Sequence, residues 1–196
     1  MPRTVKDPEE RKAELLDTAM RLFAEKGYDN VSVRSVAREA GVAPGLAYHY
    51  FDSKQRLFDA AIAQYAEECS EGMRAVLDDR GLSLDEKLEG AIAAATDHSA
   101  FPHADSLHAE GNGTLHDRLS LGICEAVRPR MQAALELDAA RRGAPVGDAG
   151  LLASMMVHAC VGLASGPGMP DAAAADAARR YLGALVAEYR RDPSGR

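Results

Sequence analysis

The segment Pro44-Gly45-Leu46-Ala47-Tyr48-His49-Tyr50-Phe51 gathers a phenol, an imidazole, an aliphatic side chain and a glycine within a few residues. At helical spacing, Ala47, Tyr50 and Phe51 turn to one side, and Gly45, Leu46, Tyr48 and His49 turn to the other. An outward Gly-Leu-Tyr-His surface is odd for a solvated face and suits a DNA surface. Gly45 permits close backbone approach, Tyr48 and His49 can donate to phosphate oxygens, and Leu46 can touch a thymine methyl. Lys54 follows the candidate cap Ser53, where positive charge and free N–H groups favour a phosphate. Arg34, on the preceding helix, is a second candidate phosphate contact. The plain alternative is that the aromatics only seal a three-helix core.

These side chains need a frame, and the run Val31 to Lys54 (VSVRSVAREAGVAPGLAYHYFDSK) supplies one. Ser32 is a candidate N-cap, and Val33, Val36, Ala37 and Ala40 follow on one apolar face. Gly41 stands where the chain must turn, because glycine tolerates positive φ. Pro44 suits the first position of a new helix, where its missing N–H costs nothing. That second helix ends near Phe51 and is too short to be stable alone. A short helix fixed at an angle to its neighbour is the helix-turn-helix unit that reads the DNA major groove.

From about Lys12 to Ala60 the sequence resembles the TetR family of transcriptional regulators. The resemblance rests on LLDTAMRLFAEKGYDNVSV (Leu15 to Val33), VAREAGVAPGLAYHYFDSK (Val36 to Lys54) and RLFDAAI (Arg56 to Ile62). It implies an all-α fold and a homodimer. It also implies an N-terminal three-helix helix-turn-helix domain over residues 1–52, and a C-terminal helical ligand-binding and dimerisation domain over 53–196. The implied partners are a double-stranded, pseudo-palindromic DNA operator and a small-molecule effector. The family usually carries Ser or Thr as N-cap of the reading helix. Ala43 stands there instead, which removes a capping side chain and one phosphate contact.

The remainder of the chain reads as helix almost throughout: about 8–26, 53–79, 83–97, 115–140, 148–165 and 171–190. Short turns and loops fill Ser99 to Thr114, where Gly111-Asn112-Gly113 is a loop signal. Hydrophobic residues make up 46% of the 196 residues, enough for a sizeable core and against disorder. Residues 1–56 hold ten Lys or Arg against nine Asp or Glu, while the rest holds 13 against 21. The acidic balance therefore sits outside the DNA-reading segment and excludes only a protein that coats nucleic acid indiscriminately. Cys69, Cys124 and Cys160 are odd in number and widely spaced, as in a cytoplasmic chain with reduced thiols. The uncharged run Ala149 to Pro170 reads as a buried helix and turn, so no membrane association is expected.

On the last two helices Leu152, Met156, Tyr181, Leu185 and Tyr189 form apolar stripes. A helix apolar most of the way round must be covered on both sides, so these five are expected at a four-helix dimer interface. A small-molecule pocket lined by Met73, His98, Phe101, Met131, Met155 and His158 is expected in the same domain, methionine being suited to adaptable pockets. The histidines at 98, 103, 108, 116 and 158 lack i, i+3 or i, i+4 spacing, so neither a metal nor a cofactor is expected. No nucleophile elbow, P-loop or dinucleotide fingerprint is present, which points away from an enzyme. The expected protein is a homodimeric, sequence-specific transcriptional regulator, a repressor released by a small molecule. The alternative is a helical binding or scaffold protein that has kept the fold without reading DNA.

Overall fold

The computed structural model describes residues 7–97, 104–107, 111–164 and 172–191. Among these, every regular element is helical. The chain divides into two compact units: Met1–Ala66 with Asp105–Leu119, and Glu67–Ala104 with Ser120–Arg196.

In the first unit, α1 (Pro8–Lys26) starts where the Asp7 carboxylate accepts from the Glu9 amide at 2.8 Å, and stops at Gly27, whose φ is +75°. Its inward face carries Leu15, Leu16, Ala19, Met20, Leu22 and Phe23. A single tight turn (Tyr28–Asn30) leads to α2 (Val33–Glu39). Ser32 and Ser35 close that helix start reciprocally: each side-chain oxygen accepts the other residue's amide, at 3.1 and 2.9 Å. Gly41, at φ +67°, makes the turn to α3 (Pro44–Tyr50). Ser53 then caps α4 (Lys54–Asp78) by accepting the Arg56 amide at 3.2 Å. Leu57 and Phe58 on α4 are buried, and the Phe58 ring stands edge-on to Phe23 at 4.9 Å. That contact ties the start of α4 to α1 within the first unit.

The second unit contains the rest of α4, α5 (Leu84–Ala95), most of α7 (Gly113–Arg141), α8 (Ala149–Ala164) and α9 (Ala172–Arg191). Between α5 and α7 lies the four-residue α6 (Ala104–Leu107). Ser83 and Glu86 form a capping box at the start of α5, and their hydrogen bonds hold the Glu86 carboxyl below its usual range. The core joins Leu77, Leu84, Leu88, Ile92, Val127, Met131, Leu135, Leu152, Met156, Leu182 and Val186. Lys87 is buried among them, and its ammonium donates to the carbonyl of Leu77 in the last turn of α4. Burial pushes that ammonium down from its ordinary pKa, against the charge of Asp79. None of the described helices is long and apolar enough to cross a membrane.

An ion network ties α5, α7 and α9. Arg190 reaches Asp138 at 2.9 Å and Asp85 at 3.0 Å, and Arg142 reaches Asp138 at 2.8 Å. Burial pushes the Asp138 carboxyl up, but hydrogen bonds from Arg190 and Arg142 outweigh it and hold the group below its ordinary 3.8. A depressed carboxyl stabilises the fold above its unfolded pKa, and that stabilisation is lost as pH falls through the folded value. Asp138→Asn should cost about 1–3 kcal/mol at neutral pH by leaving two guanidiniums short of a partner. Urea unfolding at stepwise lower pH should show the wild-type advantage shrinking below the ordinary Asp value. A constant difference between the two proteins across that window would show that Asp138 is not the group responsible.

Candidate nucleic-acid interface

The reading surface is built from beneath. Val36 and Ala37 of α2 are fully buried, and Ala47 of α3 and Phe51 just after it keep only 1% and 4% of their surface exposed. Burial on that side forces the opposite side outward. Pro44, Gly45 and His49 are exposed, Tyr48 is 50% exposed, and Leu46 is half-buried. Ala47 and Phe51 lie inward and Gly45, Tyr48 and His49 outward as expected, while Leu46, expected outward, and Tyr50, expected inward, are both half-buried. Tyr50 uses its position: its hydroxyl donates to the Pro8 carbonyl at 3.1 Å, which pins α3 to the start of α1.

A second tie fixes α2 on α1. Arg21 of α1 reaches Glu39 of α2 at 2.8 Å and Glu25 at 3.2 Å. The hydrogen bond from Arg21 holds the Glu39 carboxyl below its usual range, and the pairing raises Arg21 in turn. Both partners are substantially exposed, so the pair sets orientation more than stability. Arg34 and Arg38 stand exposed on α2.

Lys54 is placed differently from its expected role as a free cation. Its ammonium donates to the Asp29 carbonyl at 3.2 Å and lies 4.2 Å from the centre of the Tyr28 ring. Tyr28 in turn donates to Gln55 at 3.0 Å. The positive charge therefore sits at the start of α4 but is already held by the turn after α1. Sequence reasoning did not identify Tyr28 as its cradle. The aromatic directly after the helix-stopping Gly27 was the available signal.

The expected pocket and interface residues lie in the second unit, where the structure separates them. Met73 and Met131 share its core. Met155 is 52% exposed and His158 is exposed, with its Nδ1 2.8 Å from the Ser154 carbonyl, so neither lines that core. His98 and Phe101 lie outside the described residues. Of the expected interface residues, Leu152, Met156 and Tyr189 are consumed by the intramolecular core, and Leu185 packs half-buried against it. Tyr181 is 60% exposed. Among the described side chains of α8, Leu151 is 62% exposed and Met155 also faces outward.

A three-helix frame that presents a short, outward-facing second helix is a helix-turn-helix DNA-reading module. Comparison with known proteins agrees: residues 15–61 match the family model described as bacterial regulatory proteins, tetR family. The HTH-type transcriptional regulator BetI of Brucella anthropi is 36% identical over 77 residues, which are 39% of this chain and 39% of that protein. The HTH-type transcriptional repressor KstR2 of Mycolicibacterium smegmatis is 31% identical over 103 residues, 53% of this chain and 50% of that protein. The chain thus spans between about two fifths and one half of the length of these relatives. Among solved structures, Salmonella enterica GusR shares the fold with a TM-score of 0.66 at 21% identity, over 94% of this chain and 100% of that one. A TetR-family transcriptional regulator from Streptomyces coelicolor shares it with a TM-score of 0.60 at 22% identity, over 93% and 98%. Residues 15–61 are thus similar to the N-terminal domain of the tetR family of bacterial regulatory proteins.

The reading helix starts without a side-chain cap, because Ala43 precedes Pro44 and offers no acceptor. A serine there should accept an amide of the first turn and stabilise the first unit by about 0.5–1 kcal/mol. Ala43→Ser should therefore raise the midpoint of thermal unfolding as followed by circular dichroism. An unchanged or lowered midpoint would mean that the backbone at 43 cannot present the hydroxyl to α3.

Proposed function

We propose that this chain is a homodimeric transcriptional regulator, not an enzyme. It reads a pseudo-palindromic DNA operator with α3 and acts as a repressor that a small molecule releases. The observation that carries the proposal is the exposed surface of α3. Gly45, Tyr48 and His49 stand outward over a packed floor of Ala47 and Phe51, and nothing in the core needs them there. The descriptions of BetI as a transcriptional regulator and KstR2 as a transcriptional repressor support the same reading. Leu46 reads a base edge, while Tyr48, His49, Arg34 and the start of α4 around Lys54 hold phosphates. The small molecule must bind the free and the DNA-bound arrangements with different affinities, since a ligand with equal affinity shifts nothing. The site is proposed for the second unit, whose core includes Met73 and Met131.

Selection from a pool of random duplexes tests the DNA reading directly. An enriched pseudo-palindrome is expected, with binding that weakens steeply with salt as counterions are released. Arg34→Ala should weaken binding to every sequence and reduce the salt slope by about one for each phosphate left without its cation. Leu46→Ala should change the preferred base at one position in each half-site, at about 1–3 kcal/mol. Failure to enrich any palindrome would favour the scaffold reading. An unchanged base preference in Leu46→Ala would remove Leu46 as a reading residue.

Dimerisation is assigned to the outward sides of α8 and α9, which pack against each other within the second unit. Leu151, Met155 and Tyr181 are apolar or aromatic groups that face out of that unit. Two-fold pairing would also set two reading helices about 34–36 Å apart, the spacing of successive major grooves. Leu151→Glu should give a folded monomer, because residue 151 is outside the core. Met156→Glu should fail to fold, because it buries an unpaired charge. Light scattering with circular dichroism distinguishes the two. A dimeric, folded Leu151→Glu protein would place the interface elsewhere.

A further inference from the structure

The Gly111-Asn112-Gly113 turn is more than a loop. The last four carbonyls of a helix have no partner within it and must find donors elsewhere. At the end of α1, the Phe23 carbonyl accepts from the Gly27 amide at 3.0 Å and the Lys26 carbonyl from Asn30 Nδ2 at 2.9 Å. The Ala24 carbonyl between them accepts from Asn112 Nδ2 at 2.7 Å, a donor 88 residues further along the chain. Asn112 Nδ2 also donates to the Ser106 carbonyl at 2.7 Å, so both hydrogens of the amide are used. Asn112 is 9% exposed.

The same residue begins α7. The Asn112 carbonyl accepts the His116 amide at 2.9 Å, which is the first bond of that helix. Gly111, at φ +96°, delivers the chain to this point through a region that other residues rarely adopt. All these groups belong to the first unit. Leu107, Leu115 and Leu119 are buried, and Arg118 reaches Asp59 at 2.7 Å and lies 5.8 Å from the Phe58 ring. The segment 105–119 is thus built into the frame that carries α2 and α3.

What α1 holds gives this closure its meaning. Arg21 orients α2, the Pro8 carbonyl anchors α3 through Tyr50, and the turn directly after α1 cradles Lys54. We propose that Asn112 is a positioning residue for DNA reading. By closing the C-terminal end of α1 from the segment 105–119, it fixes α1 and the turn after it, and through them the helix-turn-helix pair and Lys54. This inference rests on the DNA-binding reading above.

Asparagine and aspartate serve equally well at a helix start, and a negative charge there is favourable. Asn112→Asp therefore keeps the beginning of α7 but has no N–H to give Ala24. Asn112→Leu, similar in size, uncharged and without a donor, guards against misfolding caused by the carboxylate. Hydrogen exchange by mass spectrometry on the full chain should show the amides of Ala24 to Gly27 exchanging about tenfold faster in both variants, with the His116 amide unchanged in Asn112→Asp. Affinity for the duplex enriched by the wild type should fall about tenfold in both, with the same salt slope, since every phosphate keeps its partner. Wild-type exchange at the end of α1 would overturn the closure. Faster exchange with wild-type affinity would overturn the positioning role and leave a structural bond only. If the wild type enriches no duplex, the positioning role falls with the DNA-binding reading, while the exchange data still report whether Asn112 closes α1.

Discussion

Seven residues of helix cannot hold their own shape in water. The helix α3 exists because Ala47 and Phe51 are buried where α3 packs on α2, whose Val36 and Ala37 are also buried, and because the Tyr50 hydroxyl finds the Pro8 carbonyl. Everything the interface offers follows from that burial. Once Ala47 and Phe51 are committed inward, the helical period leaves Tyr48 and His49 nowhere to go but outward. The missing cap at Ala43 makes the dependence stronger, since the helix draws no side-chain help at its own start. The chemistry of the exposed face is a by-product of packing on the hidden one.

Features set by local sequence were legible without coordinates. The bounds of α1, the Ser32 cap, the Gly41 turn and the Pro44 start depend on residues within one turn of each other. The inward and outward sides of α3 were legible for the same reason. The second unit was harder. The helix α8 is apolar on nearly every side, so its periodicity has no preferred direction, and Leu152 and Met156 could be taken for surface residues as easily as Leu151 and Met155. On α9 Tyr181 and Leu185 of the expected stripe stand one residue before the buried Leu182 and Val186, while Tyr189 belongs to the buried face. The fate of Lys54 was hidden too, because the carbonyl and ring that hold it come from a different element.

One constraint recurs where sequence reasoning ran out. Some carbonyls at or just beyond helix ends find side-chain donors outside their own helix. Asn112 serves Ala24 in the first unit, and Lys87 serves Leu77 in the second. Arg141 serves Leu82 and Arg80 in the turn between α4 and α5. In each case a polar side chain that looks ordinary in its own neighbourhood answers an unmet need elsewhere. A buried lysine is costly unless such a partner exists, and the Leu77 carbonyl makes Lys87 tolerable at an inward position of α5.

The composition of the first unit bears on how such a chain can be cut and recombined. The helices that face DNA are contiguous in sequence, but the unit that supports them borrows Asp105–Leu119 from the middle of the chain. A fragment ending at Ala66 would expose the Ala24 carbonyl and the surfaces that meet Leu107, Leu115 and Leu119. A chimera that joined this reading head to a foreign regulatory half would inherit a foreign counterpart of Asn112. Such a graft keeps the frame intact only if the incoming half also brings a donor to the end of α1, so the natural seam for shuffling is a pair of cuts rather than one.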